Sequence, residues 1–227
     1  MLHFNLESAL DINMKSLHPD RSAFESDPFG YSAIAWQKWE FAQFVATGTD
    51  TGVKNPSRTD LKNPLLWLMQ AHALSEAART VLAHKPSWES MPVWVRSACD
   101  SQYCAAGLML VGYSLEVALK AMLILRYGID AYSDEEKKYQ HHKLDRLGEF
   151  LPDLKQKERA ILRALTHYIE WTGRYPDPGG GREAKLDEVF SLSEKHKISG
   201  RDLFSLAGKV MKYANVVVDE SLRDRES

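Results

Sequence analysis

The sequence has little cysteine and no marked excess of charge of either sign. Cys99 and Cys104 are its only two cysteines, and because they lie five apart on a predicted helix they do not share a face. This argues against a disulfide framework or a zinc site and fits a reducing, cytoplasmic compartment. The formal net charge of −2 gives no global basic field, so tight nonspecific binding to nucleic acid is not indicated, although a local basic groove remains open.

Long apolar runs, strand-like alternation and internal repeats are also missing. No uninterrupted apolar stretch approaches the roughly 18 residues of a membrane span, so no membrane association is expected. The N-terminal residues MLHFNLESALDINM lack the basic segment and apolar run of a secretory signal. No useful alternation of apolar and polar residues is found, except that NVVVDE is β-branched and could end as a strand. These absences predict an all-α chain.

Capping residues and helix-breaking residues mark the ends of the predicted helices. Asn63 and Pro64 form a cap and a first helical position, and Pro86 ends that helix. Pro92 begins a second helix, for which Gly128 supplies the stop. The predicted helices cover about residues 31–46, 63–85, 92–127, 143–150, 153–173, 182–196 and 200–223. The charged run IDAYSDEEKKYQHH is predicted to be a connection between two of them.

The helix that ends at Gly128 is apolar around almost its whole circumference. At 100° per residue, two apolar stripes lie across the helix from each other. The residues that we expect to be buried on these two sides are Leu115, Val117, Leu119, Met122 and Ile124. This helix should therefore be the central one. One side faces the core, and the other faces either the N-terminal helices or a second protomer.

The narrow polar column of the central helix holds Glu116 and Lys120, four residues apart. With the glutamate N-terminal to the lysine, this spacing favours a salt bridge that stabilises a helix by about 0.2–0.5 kcal/mol. Two interpretations are open. The pair is solvated, or the column lines a polar groove beside the next element.

Three short motifs follow one another along the central part of the chain. They are S-x-E-x-x-L-K at 114–120, H-x-L-x-x-L at 142–147, and Tyr168 followed by RYPD at 174–177. In order and approximate spacing they resemble the HEPN family of higher-eukaryote and prokaryote nucleotide-binding domains, over about residues 98–178. The resemblance implies an all-α up-and-down bundle, often dimeric, and often found beside a nucleotidyltransferase or in defence and toxin–antitoxin systems.

Together, the resemblance and the predicted helices divide the chain into three parts. Residues 1–90 are an N-terminal arm with accessory helices, residues 91–178 a HEPN-like bundle core, and residues 179–227 C-terminal helices packed on that core. The expected fold is thus an all-α, up-and-down helical bundle of HEPN type with extra helices at both termini.

Some HEPN members are metal-independent ribonucleases, with a signature of arginine, four to six residues, then histidine. The histidine handles protons and the arginine balances phosphate charge. In the matching helix the pair is Arg163 and His167, with only three residues between them. Arg79 and His84 have the family spacing, but they lie outside the matched region, and a rotation of about 140° keeps them from converging on a straight helix. Arg163 and His167 are therefore weak catalytic candidates.

The helix before RYPD carries a polar stripe that could track a phosphate. If this helix continues through Arg174, then Arg163, His167, Glu170 and Arg174 lie on one line. The alternative is an ordinary solvent face, on which these side chains pair with one another. Two roles stay open for Arg174: it caps the helix C-terminus beside a stacked Tyr175, or it contacts a phosphate or nucleic acid.

Other chemistry finds little support. The run PGGGR at 178–182 follows no strand and precedes no Gly-Lys-Ser or Gly-Lys-Thr, so we expect a flexible loop and not a phosphate-binding loop. His141 and His142 are adjacent, so they point to different faces, and no carboxylate cluster completes a metal site. His142 is expected to cap or pack at the short helix. No metal and no cofactor are expected.

The sequence therefore favours a HEPN-like module that binds a nucleotide, RNA or a partner protein such as a nucleotidyltransferase. It would be a cytoplasmic homodimer in a bacterial defence or toxin–antitoxin setting. The alternatives are a metal-independent ribonuclease acting at a dimer cleft and a purely structural helical interaction protein. The ligand-binding candidates are Arg163, His167, Arg174, Tyr175, Glu116 and Lys120.

Overall fold

The computed structural model of the chain describes residues 19–47, 55–180 and 184–226. Over these ranges the protein is an all-α helical bundle with 11 α-helices and no strand, which confirms the predicted fold class. The helices are α1 (Ser22–Ser26), α2 (Pro28–Ala33), α3 (Ala35–Thr47), α4 (Pro64–Ala83), α5 (Arg96–Tyr127), α6 (Ile129–Asp134), α7 (Glu136–Tyr139), α8 (Leu144–Leu147), α9 (Gln156–His167), α10 (Ala184–His196) and α11 (Gly200–Glu226). Residues 1–18 of the predicted arm and residues 181–182 of PGGGR lie outside the described ranges.

The chain divides into two compact units, Met1–Leu61 and Lys62–Ser227. The first contains α1 to α3, and in it α1 packs on α2, with the rings of Phe24 and Tyr31 edge to face at 5.8 Å between centroids. The second contains all the other helices. Its first helix, α4, is one that the sequence grouped with the N-terminal accessory helices, whereas in the structure it packs along α5.

The ends of the two long helices follow the predicted signals. The Asn63 side chain accepts a hydrogen bond of 3.0 Å from the Leu65 N–H, and Pro64 occupies the first turn of α4. Helix α5 ends at Gly128, whose φ of 81° is a left-handed conformation that favours glycine. At the start of α11, the Ser199 hydroxyl accepts a hydrogen bond of 3.3 Å from the Asp202 N–H, as expected for a cap.

Helix α5 is the central helix of the second unit, as its two apolar stripes predicted. Among the predicted core residues, Leu115, Leu119, Met122 and Ile124 are at most 1% exposed. Val117 is half-buried and is the most exposed of the five. Helix α4 packs along α5, while α8, α9 and α11 also pack against it. The chain itself therefore covers α5 on more than one side. Part of this cover comes from α4, one of the predicted N-terminal accessory helices, and not from a second protomer.

Two glycines of α5 bring neighbouring elements close. A Cβ at Gly107 would lie 2.5 Å from Leu82 Cδ2 on α4, and a Cβ at Gly112 would lie 2.7 Å from Ile169 Cγ1. Real Cβ atoms do not come this close to other atoms, so a larger residue at either position would force the neighbouring side chain to shift. The two glycines therefore allow α4 and the segment that carries Ile169 to approach α5 closely.

Two stretches show more regular helix than the sequence alone specified. The charged connection after α5 contains the short helices α6 and α7. The run NVVVDE, which could have ended as a strand, lies inside α11. Val210, Ala214 and Val217 are each at most 3% exposed and recur at helical spacing, so packing of this face overrides the β-propensity of the valines.

Among the described residues, one helical stretch, Val93–Tyr127, is long and apolar enough to cross a membrane by length and composition alone. This stretch was not predicted as a span because its apolar residues do not form an uninterrupted run. Of the apolar window in this stretch, 61% is buried inside the protein. The core helix of a soluble protein meets the same criteria.

Candidate functional site

A buried carboxylate on α5 joins the first two sequence motifs. Glu116 is 5% exposed; its Oε1 lies 2.7 Å from Lys120 Nζ, and its Oε2 lies 2.8 Å from His142 Nδ1. The ring of Tyr113 packs edge to face against His142, with 6.1 Å between centroids. The predicted pair of Glu116 and Lys120 is therefore formed. It is an internal cluster covered by the segment that carries His142, and not a solvated pair.

The segment before α8 is held by side chains on both sides. His142 was expected to cap or pack at this short helix, but it contacts Glu116 instead. The backbone N–H of Lys143 donates to His141 Nδ1 at 3.1 Å, and that of Leu144 donates to Thr166 Oγ1 at 3.0 Å. Burial, together with the nearby charge of Lys120, lowers the pKa of His141.

The two catalytic candidates on α9 meet at one carboxylate contributed by α10. Arg163 forms an ion pair with Glu188, and His167 Nε2 lies 3.2 Å from Glu188 Oε2. His167 is 5% exposed, and its burial lowers its pKa although the charge of Glu188 acts in the opposite direction. The structure thus brings Arg163 and His167 together at Glu188, where Arg163 remains exposed and His167 is buried.

The imidazole of His167 is poorly placed to act on an external substrate. One nitrogen faces Glu188, and the other, Nδ1, is buried without a hydrogen-bond partner among the described residues. A general base must come within hydrogen-bond reach of the proton that it removes. In this conformation, the packing of α10 on α9 keeps a ribose hydroxyl from reaching either nitrogen.

The polar stripe does not continue from α9 to Arg174. The α-helix ends at His167, and a π-helical turn, Tyr168–Thr172, follows it. Within this turn, Glu170 Oε2 lies 2.7 Å from Lys185 Nζ on α10. Burial raises the pKa of Glu170, but the hydrogen bond and charge of Lys185 outweigh it, so that the pKa lies below its usual value. The expectation of one accessible patch containing Arg163, His167 and Arg174 was therefore wrong.

Arg174 lies in the turn after the π helix. Its Nη2 donates to the backbone oxygen of Glu170 at 2.5 Å, and its guanidinium carbon lies 5.4 Å from the centre of the Tyr175 ring. The capping and stacking role that the sequence left open is thus confirmed. Both side chains remain exposed, so these contacts leave most of the guanidinium available.

A cavity of about 370 Å³ lies at the RYPD motif. Glu170, Trp171, Tyr175, Asp177 and Lys185 line it. Trp171 is buried, and its indole N–H has no hydrogen-bond partner among the described residues. The Asp177 carboxylate accepts a 2.6 Å hydrogen bond from the backbone of Gly179, which shapes the loop at this point. Aromatic rings, an ammonium group and carboxylates therefore surround one small space.

The second Arg–His pair does not form a site. Arg79 on α4 bonds to Glu76 on the same helix, with 2.8 Å between Nη2 and Oε2. His84 follows α4 in an extended conformation, and its ring packs edge to face against Tyr103. These separate partners agree with the expectation that the two side chains do not converge.

Three residues of these sites were not predicted from the sequence. They are Lys185 and Glu188, which form ion pairs, and Trp171, whose indole N–H has no hydrogen-bond partner among the described residues. The two charged residues lie on α10 and meet α9 and the π-helical turn only through tertiary packing. No local spacing connects them to Arg163, His167 or Glu170. Within the described ranges, no group of three or more His, Cys, Asp or Glu side chains is arranged to hold a metal ion.

No protein-family model, curated protein or solved structure matches the chain. The resemblance to the HEPN family consequently rests on the three sequence motifs.

Proposed function

We propose that this protein is a HEPN-like helical module that binds a nucleotide or a short RNA at the RYPD cavity. The observation that carries the proposal is the exposed pair of Arg174 and Tyr175 beside a cavity lined by Trp171 and Lys185. Aromatic rings stack on bases, and a guanidinium recognises phosphate through directed hydrogen bonds. A cavity that combines the two suits a ligand with a base and a phosphate.

The charges around the cavity nearly balance, which limits the affinity. Lys185 is paired with Glu170, so its ammonium is partly neutralised. Asp177 adds a negative charge to the lining, which offsets the positive charge of the nearby Arg174. Binding should therefore be weak and should decrease as the salt concentration rises.

Binding is better supported than cleavage. Arg163 and His167 are both engaged by Glu188, and His167 is buried. The ribonuclease alternative would require α10 to move away from α9 so that His167 could reach a substrate. From the resemblance we also propose a homodimer that acts in the cytoplasm, in a bacterial defence or toxin–antitoxin setting, beside a partner such as a nucleotidyltransferase.

The binding proposal is tested with a labelled single-stranded RNA followed by fluorescence anisotropy, with ATP as competitor. A double variant, Arg174→Gln with Tyr175→Leu, should lose most of the binding and retain its thermal unfolding temperature. Arg159→Gln is the matched control, because Arg159 is an exposed arginine of the α9 stripe away from the cavity. If the double variant binds as the wild type does, or if the wild type binds neither ligand, the proposal is rejected.

Cleavage is tested separately by incubating the same RNA with protein prepared in the presence of a chelator. If cleavage occurs and His167→Ala abolishes it without unfolding the protein, the ribonuclease alternative replaces the present proposal. Light scattering tests the proposed homodimer, because a strictly monomeric mass would mean that cover from within the chain suffices for α5.

A further inference from the structure

A mainly apolar cavity of the described protein lies away from the RYPD motif and plays no part in the proposed function. Its volume is about 390 Å³, and it is bounded by the segment 151–154 on one side and by α11 on the other. Its apolar lining comes from Leu151, Pro152, Leu154, Val210, Tyr213 and Val216. A concave, mainly apolar space of this size is typical of a small-molecule site.

The wall of this cavity is held in place before any ligand arrives. Asp153 adopts a φ of 52°, a left-handed conformation that sharply turns the chain between Pro152 and Leu154. Lys209 Nζ donates to the Asp153 backbone oxygen at 2.9 Å and lies 3.0 Å from Glu158 Oε2. The turn is thus tied to both α11 and α9, so a ligand would enter a preformed cavity.

Gly208, in the interior of α11, keeps the cavity open. It lines the cavity, and a Cβ built on it would meet nothing within 4 Å. Gly107 and Gly112 are different, because a Cβ at either would collide with a neighbouring side chain. A glycine inside a helix lowers the stability of that helix relative to alanine. No close packing contact within the described chain requires a glycine at residue 208.

The cavity also presents one free positive charge. Lys212 lines it and is exposed, and within the described residues it takes part in no hydrogen bond or ion pair. The other lysine of the lining, Lys209, is already held by Glu158. The hydroxyl of Tyr213 accepts a hydrogen bond from Arg126. A ligand would therefore meet an apolar surface with a single unpaired ammonium at its edge.

We propose that this cavity binds a single-chain amphiphile with one anionic head, such as a medium-chain carboxylate. The alkyl chain lies over Gly208 between Leu154 and Val216, and the head pairs with Lys212. The apolar lining favours an alkyl chain, and the single unpaired ammonium of Lys212 favours a head group with one negative charge. The absence of a side chain at residue 208 lets the alkyl chain approach the backbone of α11.

The probe is decanoate, kept below its micelle concentration, with binding measured by calorimetry and by the shift of the Gly208 amide signal. We expect saturable binding. Gly208→Leu fills the cavity and should weaken binding at least about tenfold. Gly200→Leu is the matched control, since a Cβ at this glycine of α11 also meets nothing within 4 Å and Gly200 does not line this cavity.

A variant that removes the positive charge of Lys212 tests the proposed head-group contact independently. Lys212→Gln should weaken decanoate binding about fivefold and leave the binding of decanol unchanged. The proposal is overturned if decanoate does not bind saturably, if Gly208→Leu binds it as the wild type does, or if Lys212→Gln affects both probes alike. It is also overturned if the wild type is dimeric and Gly208→Leu is monomeric, because a second copy then occupies the cavity. Each result leaves the RYPD proposal untouched.

Discussion

Glu116 and His142 are 26 residues apart in the chain, yet Glu116 Oε2 and His142 Nδ1 are 2.8 Å apart. The contact attaches the segment before α8 to the central helix α5. The other oxygen of the same carboxylate is taken by Lys120. The polar column of the apolar helix α5 thus anchors the segment that carries His142. Each oxygen of the buried Glu116 carboxylate has a partner there, one being Lys120 and the other His142.

Replacing Glu116 with Leu should lower the free energy of unfolding by about 3 kcal/mol, because it leaves the half-buried ammonium of Lys120 without its partner. Chemical denaturation measures the change. The control is Glu135→Gln, which breaks the exposed pair with Lys138 and should cost far less, because solvent screens that pair. Equal effects of the two variants would mean that burial of Glu116 adds nothing to its role.

Two glycine substitutions should have opposite signs. Gly112→Ala forces a methyl group to within 2.7 Å of Ile169 Cγ1 and should destabilise the protein by about 1–3 kcal/mol. Gly208→Ala meets no atom within 4 Å and should stabilise it by about 0.5–1 kcal/mol, because alanine is the better helix former. Thermal unfolding of both variants checks this. A stabilised Gly112→Ala would show that α5 and the π-helical turn are not in close contact.

The two apolar sides of α5 should differ in their sensitivity to truncation. Leu119 is fully buried, so Leu119→Ala should cost about 2–5 kcal/mol. Val117 is half-buried, and Val117→Ala should cost clearly less, about 1 kcal/mol. Denaturant midpoints at an unchanged slope give both values. A large loss for Val117→Ala would indicate that a further surface, such as a second protomer, covers that residue.

His167 should make stability dependent on pH. Burial lowers the pKa of His167 below its ordinary value of 6.5, so at mildly acidic pH the unfolded chain binds the proton more readily than the folded one. Stability is then complete above about pH 6.5 and decreases as the pH falls toward the folded-state pKa. In His167→Gln, the loss of stability between about pH 7 and pH 5 should be smaller than in the wild type.

Denaturation at a series of pH values tests this, with His84→Gln as the control because His84 is exposed. The lowered pKa of His141 acts in the same direction, so His167→Gln should flatten the curve only in part. An unchanged curve for His167→Gln would mean that the imidazole is as readily protonated in the folded protein as in the unfolded chain.

Much of the fold could be predicted because the signals are local. The cap at Asn63, the stop at Gly128 and the apolar periodicity of α5 involve only residues within a few turns of one another. The spacing of Glu116 and Lys120 likewise predicted a pair on one helix. The RYPD motif marked the turn at which Arg174 caps the preceding helix.

The sequence by itself determined the two long helices α4 and α5, their ends and the central position of α5, because hydrophobic periodicity and capping act between near neighbours in the chain. Only the tertiary structure decided that Glu116 is buried against His142 and that Arg163 and His167 face Glu188. It also decided that α9 ends in a π-helical turn before Arg174. The physical reason is that a side chain's burial and partner depend on which other helix packs against it, and no spacing within a single helix specifies that neighbour.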